Sequence, residues 1–515
     1  MSNFLDAVNS LVWSNALVYL CLAAGVYFSI RSRFVQVRQV REMVRLMIKG
    51  EKSPSGVSSF QALTMSLAGR VGTGNIAGVA TAIAFGGPGA LFWMWTVAFL
   101  GASTSFVECT LGQIYKTRDP LTGEYRGGPA YYLSRAWAHT RAAGLFKIYG
   151  FFFAAVTVLA CGLLLPSVQS NSMASAMERA WGFSKWWVAV VTVIVLAFVI
   201  IGGVKRIAAF ASIVVPFMAV VYIVLALIVV VLNADKVPGM VEMIFSSAFG
   251  LDSAFGAIIG SAVMWGVKRG IYSNEAGQGT GPHAAAAAEV SHPAKQGLVQ
   301  AFAVYVDTLF ICSATGFLIL STGAYRVFEG ESDSGAVLAE GGILPADVEV
   351  GPVFAQTAFD TLWSGAGSSF IAVSLAFFCF TTIIAYYYMA ETNLRFLLGK
   401  TSTINVPVIR GTVGSNATIA LQALILVSVV IGAVSTATEA WVLGDIGVGL
   451  MAWLNIIGII ILQKPAYQAL WDYEKQKKAG LDPVFDPRAL DIVGATFWED
   501  YDPKKVKEAP QPAQS

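Results

Sequence analysis

Eleven runs of mainly apolar residues follow one another along this chain, and each is long enough to cross a bilayer. They lie near 10–30, 57–84, 89–115, 148–170, 186–204, 207–232, 253–276, 297–323, 366–394, 415–434 and 441–462. A spanning helix needs about 20 such residues. Hydrocarbon offers the backbone no water to bond to, so chain of this length inside it must be helical. The expected fold class is therefore an all-α membrane protein with 11 transmembrane helices. Charged residues make up only 13% of the chain, against about 25% in soluble domains. That scarcity excludes a water-soluble enzyme and a disordered chain. The net charge is +2 and no basic stripe lies on a polar domain, which excludes nucleic acid as a partner.

Lysine and arginine set the orientation. With the N-terminus outside, 27 of the 34 basic residues fall on the inner side and four (Arg179, Lys185, Lys236, Arg326) on the outer side. This predicts a multi-pass protein of the cell membrane with its C-terminus in the cytoplasm. Asp6 and the lack of a basic residue before the first run do not fit a signal-peptide leader. The first helix is therefore expected to remain.

Cys21, Cys109, Cys161, Cys312 and Cys379 sit in apolar stretches without CxxC spacing, and read as small buried hydrophobes. His139, His283 and His292 are far apart and form no HExxH motif. Three parts do not span. Residues 324–352, with Glu329, Glu331, Asp333, Glu340, Asp347 and Glu349, predict an outer hairpin or cap. Residues 127–138 (GGPAYYLSRAWA) predict a short amphipathic helix on the cytoplasmic face. Residues 464–515 are polar, end in KEAPQPAQS and predict a loose tail.

Two segments carry most of the functional information. AGRVGTGNIAG starts at Ala68 in the second run, and VKRGIYSNEAGQGTGPH starts at Val267 in the seventh. Both contain R-x4-N-x-A-G: Arg70, Asn75, Ala77-Gly78 in one and Arg269, Asn274, Ala276-Gly277 in the other. Five crossings separate them, so they traverse the bilayer in opposite directions, as in an inverted-topology repeat. Each is a poor continuous helix. Glycine costs about 1 kcal/mol against alanine inside a helix, and a charge at the bilayer centre about 3 kcal/mol. Such backbone persists where it lines a protein cavity, so two broken helices meeting near the midplane are expected. Free N–H groups at one half-helix start suit an anion, and free carbonyls at another half-helix end suit a cation. Such a pocket suits a zwitterion, of which an amino acid is the simplest. A cation bound beside it would drive uptake, since one charge crossing 100 mV yields about 2.3 kcal/mol.

The strings VGTGNIAGVATAIAFGGPGALFWMW, GGPAYY and RGIYSNEAGQGTGPHAAAAA resemble the alanine or glycine:cation symporter family over nearly the whole chain. That family is similar in architecture to the leucine-transporter-like fold, a five-plus-five inverted repeat preceded by one extra N-terminal helix. The resemblance divides the chain into an extra helix with a basic cytoplasmic segment (1–56), a first repeat (57–232), a second repeat containing the acidic loop (233–462) and a cytoplasmic tail (463–515). It implies import of small neutral amino acids, chiefly alanine and glycine, coupled to sodium or sometimes protons, with no covalent chemistry and no cofactor beyond the coupling ion.

The resemblance also implies site residues. Backbone amides of Gly72, Thr73, Gly74 and Asn75 would take the substrate carboxylate, and Gln169 would reach the ligand. Carbonyls of Gly270, Ile271 and Ser273, where the second helix unwinds, would face the ammonium; Thr382 and Tyr386 would line the substrate pocket. Sodium would be held by the carbonyls of Ala68, Val71 and Phe378 and the hydroxyls of Thr381 and Thr382, hard oxygen donors suited to a hard cation. Taken alone, the two threonines also read as hydroxyls bonding the preceding helical turn. Ala385-Tyr386 and Met389-Ala390-Glu391 depart from the family's Gly-Trp and Gly-Glu, which reshapes the side-chain pocket. Gln278 and Thr280-Gly281 depart too.

Glu108, Asp307 and Glu391 are costly in a membrane unless paired or wetted. Arg70 is read either as a guanidinium replacing a second sodium or as a structural partner of Glu108 or Asp307. Asp307 is also a possible proton site. Proton-coupled uptake is the alternative within transport. A channel would show a ring of pore-lining charges or carbonyls, and a sensor a signalling domain; the sequence has neither.

Overall fold

A computed structural model describes residues 2–48, 57–119, 122–200, 203–251, 258–404 and 412–500. The fold is helical, with two short antiparallel ribbons, Thr117–Arg118 with Tyr125–Arg126 and Arg326–Phe328 with Val337–Glu340. Among the described residues, eight helices are long and apolar enough to cross a membrane, from Phe4–Arg31 to Ala437–Leu462. The chain is thus a multi-pass membrane protein. The Lys185–Ile200 helix shows how its surface is built. Val191, Ile194, Val195 and Phe198 are exposed, while Ala189, Thr192 and Leu196 are buried. A helix with large apolar side chains on its outer face as well as its buried one suits lipid, not water.

Local signals explain the helix starts. Ser58 and Gln61 form a capping box before Ser59–Arg70, and Thr436 with Glu439 form another before Ala437–Leu462, each satisfying amides that have no helical partner. The Ala143–Trp181 helix runs well beyond the expected 148–170. Its length includes a π turn at Ala160–Leu164, and a second π segment covers Val306–Cys312.

The two expected breaks are present. Ser59–Arg70 ends at an extended Val71, and a π turn, Gly74–Gly78, leads into Val79–Gly86. Ile259–Asn274 ends at Glu275, and Gly281–Ala287 resumes the helix. The breaks touch: a methyl group on Gly74 would lie 3.2 Å from Ser273 Cα.

Three expectations change. The second helix unwinds later than Gly270–Ser273. Gly270 stays helical because it packs on α-helical neighbours: a methyl group there would lie 3.3 Å from Val97 Cγ1 and 3.5 Å from Met94 Cα. The left-handed residues are Glu275, Gly277 and Gly279. The 127–138 segment does contain a helix, Pro129–Arg135, but Pro129 to Leu133 are buried. It lies inside the protein because Gly150 carries no side chain; a methyl group there would meet Ala130 O at 2.7 Å. The acidic segment forms the expected hairpin.

The tail is docked rather than loose as far as it is described; KEAPQPAQS lies outside the described residues. Lys464–Lys478 buries Tyr467, Leu470 and Tyr473. Beyond it, Lys295 pairs with Asp482 at 2.9 Å, and Trp498 Nε1 donates to Gln113 O at 2.9 Å. Lys116 Nζ sits 4.5–5.0 Å from the ring centres of Tyr125, Phe497 and Trp498 and donates to Ala288 O at 2.8 Å. Burial pushes its ammonium down to about 7, with Glu289 acting against the shift. The docked tail therefore holds fewer protons at Lys116 than a released tail between about pH 7 and the ordinary lysine value of about 10.4. Docking strengthens as pH rises through that window and is weakest below it. Protease cleavage near Trp498, normalised to an unfolded peptide, should be slower at about pH 8.5 than at about pH 6.5. Lys116→Met should flatten this difference; an unchanged difference would assign it to another group.

Candidate functional site

The first break places its backbone against two other helices. Gly72 N–H donates to Asn75 Oδ1 at 2.9 Å, and Thr73 N–H donates to Gln169 Oε1 at 3.0 Å. Gln169 comes from Leu165–Trp181, just after the π turn. Gly72 must lack a side chain, because a methyl group would lie 2.6 Å from Thr382 Oγ1 and 2.7 Å from Gln169 Oε1. Two of the four amides expected to meet an anion are thus held by side-chain oxygens, and the Asn75 N–H donates to Gly72 O at 3.3 Å.

Below them, the end of Ser59–Arg70 leaves carbonyls without helical partners, as any helix C-terminus does. Thr382 Oγ1 donates toward three of the oxygens named from the sequence: Ala68 O at 2.8 Å, Phe378 O at 2.9 Å and Val71 O at 3.2 Å. Thr381 Oγ1 lies 2.9 Å from Phe378 O and 3.0 Å from Phe377 O, so it bonds its own preceding turn. One hydroxyl carries one hydrogen, so Thr382 cannot satisfy three carbonyls at once. The donor set is rich in uncharged oxygen and poor in hydrogen, which fits an alkali cation. Tyr386 lies one turn further along the same helix, fully buried.

Asp307, in the π segment, ties the two breaks together. Asn75 Nδ2 donates to its Oδ1 at 2.6 Å, and Ser273 Oγ and Thr308 Oγ1 each donate to its Oδ2 at 2.8 Å. Asn274 Nδ2 donates to Thr308 Oγ1 at 3.3 Å. The Ile271 carbonyl accepts the Glu275 N–H at 2.9 Å, so of the three residues assigned to the ammonium, Ser273 is the one joined to the polar centre. The buried acids of the sequence reading find partners. Glu108 accepts from Gly277 N and Gly279 N, each at 3.1 Å, and from Asn455 Nδ2 at 2.6 Å. Tyr132 O–H in turn donates to Asn455 Oδ1. Glu391 pairs with Arg126 at 3.4 Å and Arg395 at 3.6 Å.

Arg70 lies near Glu108 and Asp307 but bonds neither directly. Its guanidinium donates to Gln300 O at 3.1 Å and Ser105 Oγ at 3.3 Å. Among the described residues it makes no ion pair within 4.0 Å.

Three groups were not singled out from the sequence. Asp445 makes a forked ion pair with Arg269, at 2.8 and 3.0 Å, and takes Lys268 at 2.7 Å. Arg269 also stacks on Trp441, 4.2 Å from the ring centre. These groups line a cavity of about 1130 Å³, with Phe85, Trp265 and the acidic-hairpin residues Glu331 and Asp333. The apolar surroundings of Asp445 gave no hint of its partners, which lie far away in sequence. Elsewhere, Arg126 gathers Asp119 at 2.8 Å, Glu124 at 3.2 Å and Glu391. The third is Glu275, fully buried at the second break.

Known proteins match this chain along most of its length. The model of the sodium:alanine symporter family matches residues 1–487. YrbD of Bacillus subtilis is 53% identical over 499 residues, covering 97% of this chain and 98% of its own. The sodium/proton-dependent alanine carrier protein of Bacillus sp. strain PS3 is 48% identical over 459 residues, covering 89% and 97%. The sodium/alanine symporter AgcS of Methanococcus maripaludis is 36% identical over 465 residues, covering 89% and 94%. On these matches the chain belongs to the sodium:alanine symporter family and is a transporter, not an enzyme.

Proposed function

We propose that this protein imports small neutral amino acids, alanine and glycine, together with sodium by alternating access. The observation that carries the reading is the convergence of Ala68, Val71 and Phe378 carbonyls on the Thr382 hydroxyl. Sodium as co-substrate replaces the single hydroxyl hydrogen there as the group those oxygens share, with Thr381 adding its hydroxyl. Because the set joins the first broken helix to the Ala366–Leu398 helix, binding an ion draws the two together. The names of the PS3 and Methanococcus relatives support sodium and alanine as ligands.

The substrate carboxylate takes the places of Asn75 Oδ1 and Gln169 Oε1 on the Gly72 and Thr73 amides, with Gly74 leaving room beside them. The ammonium faces the polar centre at Ser273 and the end of the helix carrying Gly270 and Ile271. Thr382 and Tyr386 line the side-chain end. Eleven crossings, built as two inverted five-helix repeats after one extra helix, supply the frame. The eight long apolar helices, the shorter Lys185–Ile200 and the two broken helices support that number. The N-terminus lies outside and the C-terminus in the cytoplasm, as the basic residues favour. The Arg269–Asp445 pair gates the outer cavity, and the Arg126 cluster closes the cytoplasmic side.

Purified protein in liposomes should accumulate alanine against its gradient when sodium is higher outside. Uptake that survives replacement of sodium by choline but is abolished by a protonophore would overturn sodium coupling.

A further inference from the structure

Three carboxylates are buried around Arg70, and their hydrogen bonds set them apart. Both oxygens of Glu108 and both of Asp307 are filled by N–H or O–H donors. An acceptor-only pattern of this kind belongs to an ionised carboxylate. Glu275 is as deeply buried, yet neither of its oxygens has a hydrogen-bond partner of normal geometry. A methyl group on Gly69 would lie 3.3 Å from Glu275 Oε2, 3.1 Å from Met389 Cε and 3.6 Å from Ala385 Cβ. The carboxyl therefore looks onto thioether and alanine methyl groups. An unpaired anion there would bear a large desolvation penalty, and ionising all three acids would leave two uncompensated negative charges against Arg70.

We propose that Glu275 is a proton-binding site, and that its proton travels with the amino acid. This rests on the transport reading above. Methyl groups on one side and a guanidinium nearby make a poor seat for a bare alkali cation, whereas a proton removes the charge outright. The groups that face Glu275 are Arg70 from the first broken helix, Thr280 and Tyr272 from its own, Asp307, Cys109, Cys161 and Tyr386. Glu275 also sits where the chain must bend: its φ is +57°, left-handed, directly after Asn274. A change in the break moves this carboxyl between an apolar setting that demands the neutral form and water that releases the proton. Loading transfers a proton from hydronium to a Glu275 oxygen and leaves water; unloading on the other side reverses the transfer. Protonation removes one of the three buried negative charges and leaves Arg70 facing the other two.

The test follows alanine and protons together in liposomes holding a pH-sensitive dye, under an inward sodium gradient. Wild type should show alanine-dependent proton entry. In Glu275→Gln the proton signal per alanine transported should fall to background, whatever the uptake rate. Glu275→Asp should keep the signal with a displaced pH profile, and serves if the glutamine variant does not fold. A wild type that moves alanine with no proton signal, or a glutamine variant that keeps one, overturns the proposal. Failure of the transport reading looks different: the wild type then accumulates no alanine at all.

Discussion

Thr382→Ala is expected to raise the sodium concentration for half-maximal uptake by on the order of tenfold or more. The hydroxyl touches the Ala68, Val71 and Phe378 carbonyls. A ligand interaction with a charged group is worth about 1.5–3 kcal/mol, and about 1.4 kcal/mol is a factor of ten. The alanine concentration for half-maximal uptake should rise as well, because two ligands that favour the same state help each other, but saturating sodium should restore it. Thr382→Ser keeps the oxygen and should stay close to wild type. If sodium dependence is unmoved and alanine affinity alone falls, the hydroxyl belongs to the substrate pocket and the ion binds elsewhere.

Glu108→Ala is expected to be the most destabilising single change among the residues named here. It would strand the Gly277 and Gly279 amides and the Asn455 side chain in a fully buried site. Removing one partner from a buried, charge-assisted set costs about 3–5 kcal/mol. Glu108→Gln keeps one acceptor oxygen but turns an NH₂ toward other donors, so it should fall between the two, at a cost of about 1–3 kcal/mol. The readout is the apparent melting temperature of purified protein in detergent, followed by tryptophan fluorescence. The order should be wild type, then glutamine, then alanine. A glutamine variant as stable as wild type would mean that the carboxylate charge is not what holds the second break.

The two breaks were legible because glycine, asparagine and arginine crowd apolar runs that otherwise favour helix, and did so twice. Where the second one opens was not. Gly270 read as an unwinding residue, but its missing side chain serves contact with Val97 and Met94; a packing glycine and a hinge glycine look alike in sequence. The Thr382 neighbourhood was legible only through resemblance, since a Thr-Thr pair in a membrane helix commonly bonds its own turn, as Thr381 does here. The partners of Arg269 and Arg70 required tertiary structure. Asp445 lies 176 positions from Arg269, and Gln300 offers Arg70 a backbone carbonyl that no side-chain pattern could announce. The docked tail was hidden because its anchors, Tyr473, Phe485 and Trp498, are scattered through polar chain.

The π turns at Gly74–Gly78, Ala160–Leu164 and Val306–Cys312 bear on how this protein can be engineered. A wide turn accommodates an extra residue, and each residue of an α-helix advances about 100°. Deleting a single residue at Ala160–Leu164 would swing Gln169 about a quarter-turn off the Thr73 amide, although no named contact had been mutated. Chimaeras made with shorter relatives should therefore place their crossovers outside these three stretches, and alignments should not be allowed to open gaps within them.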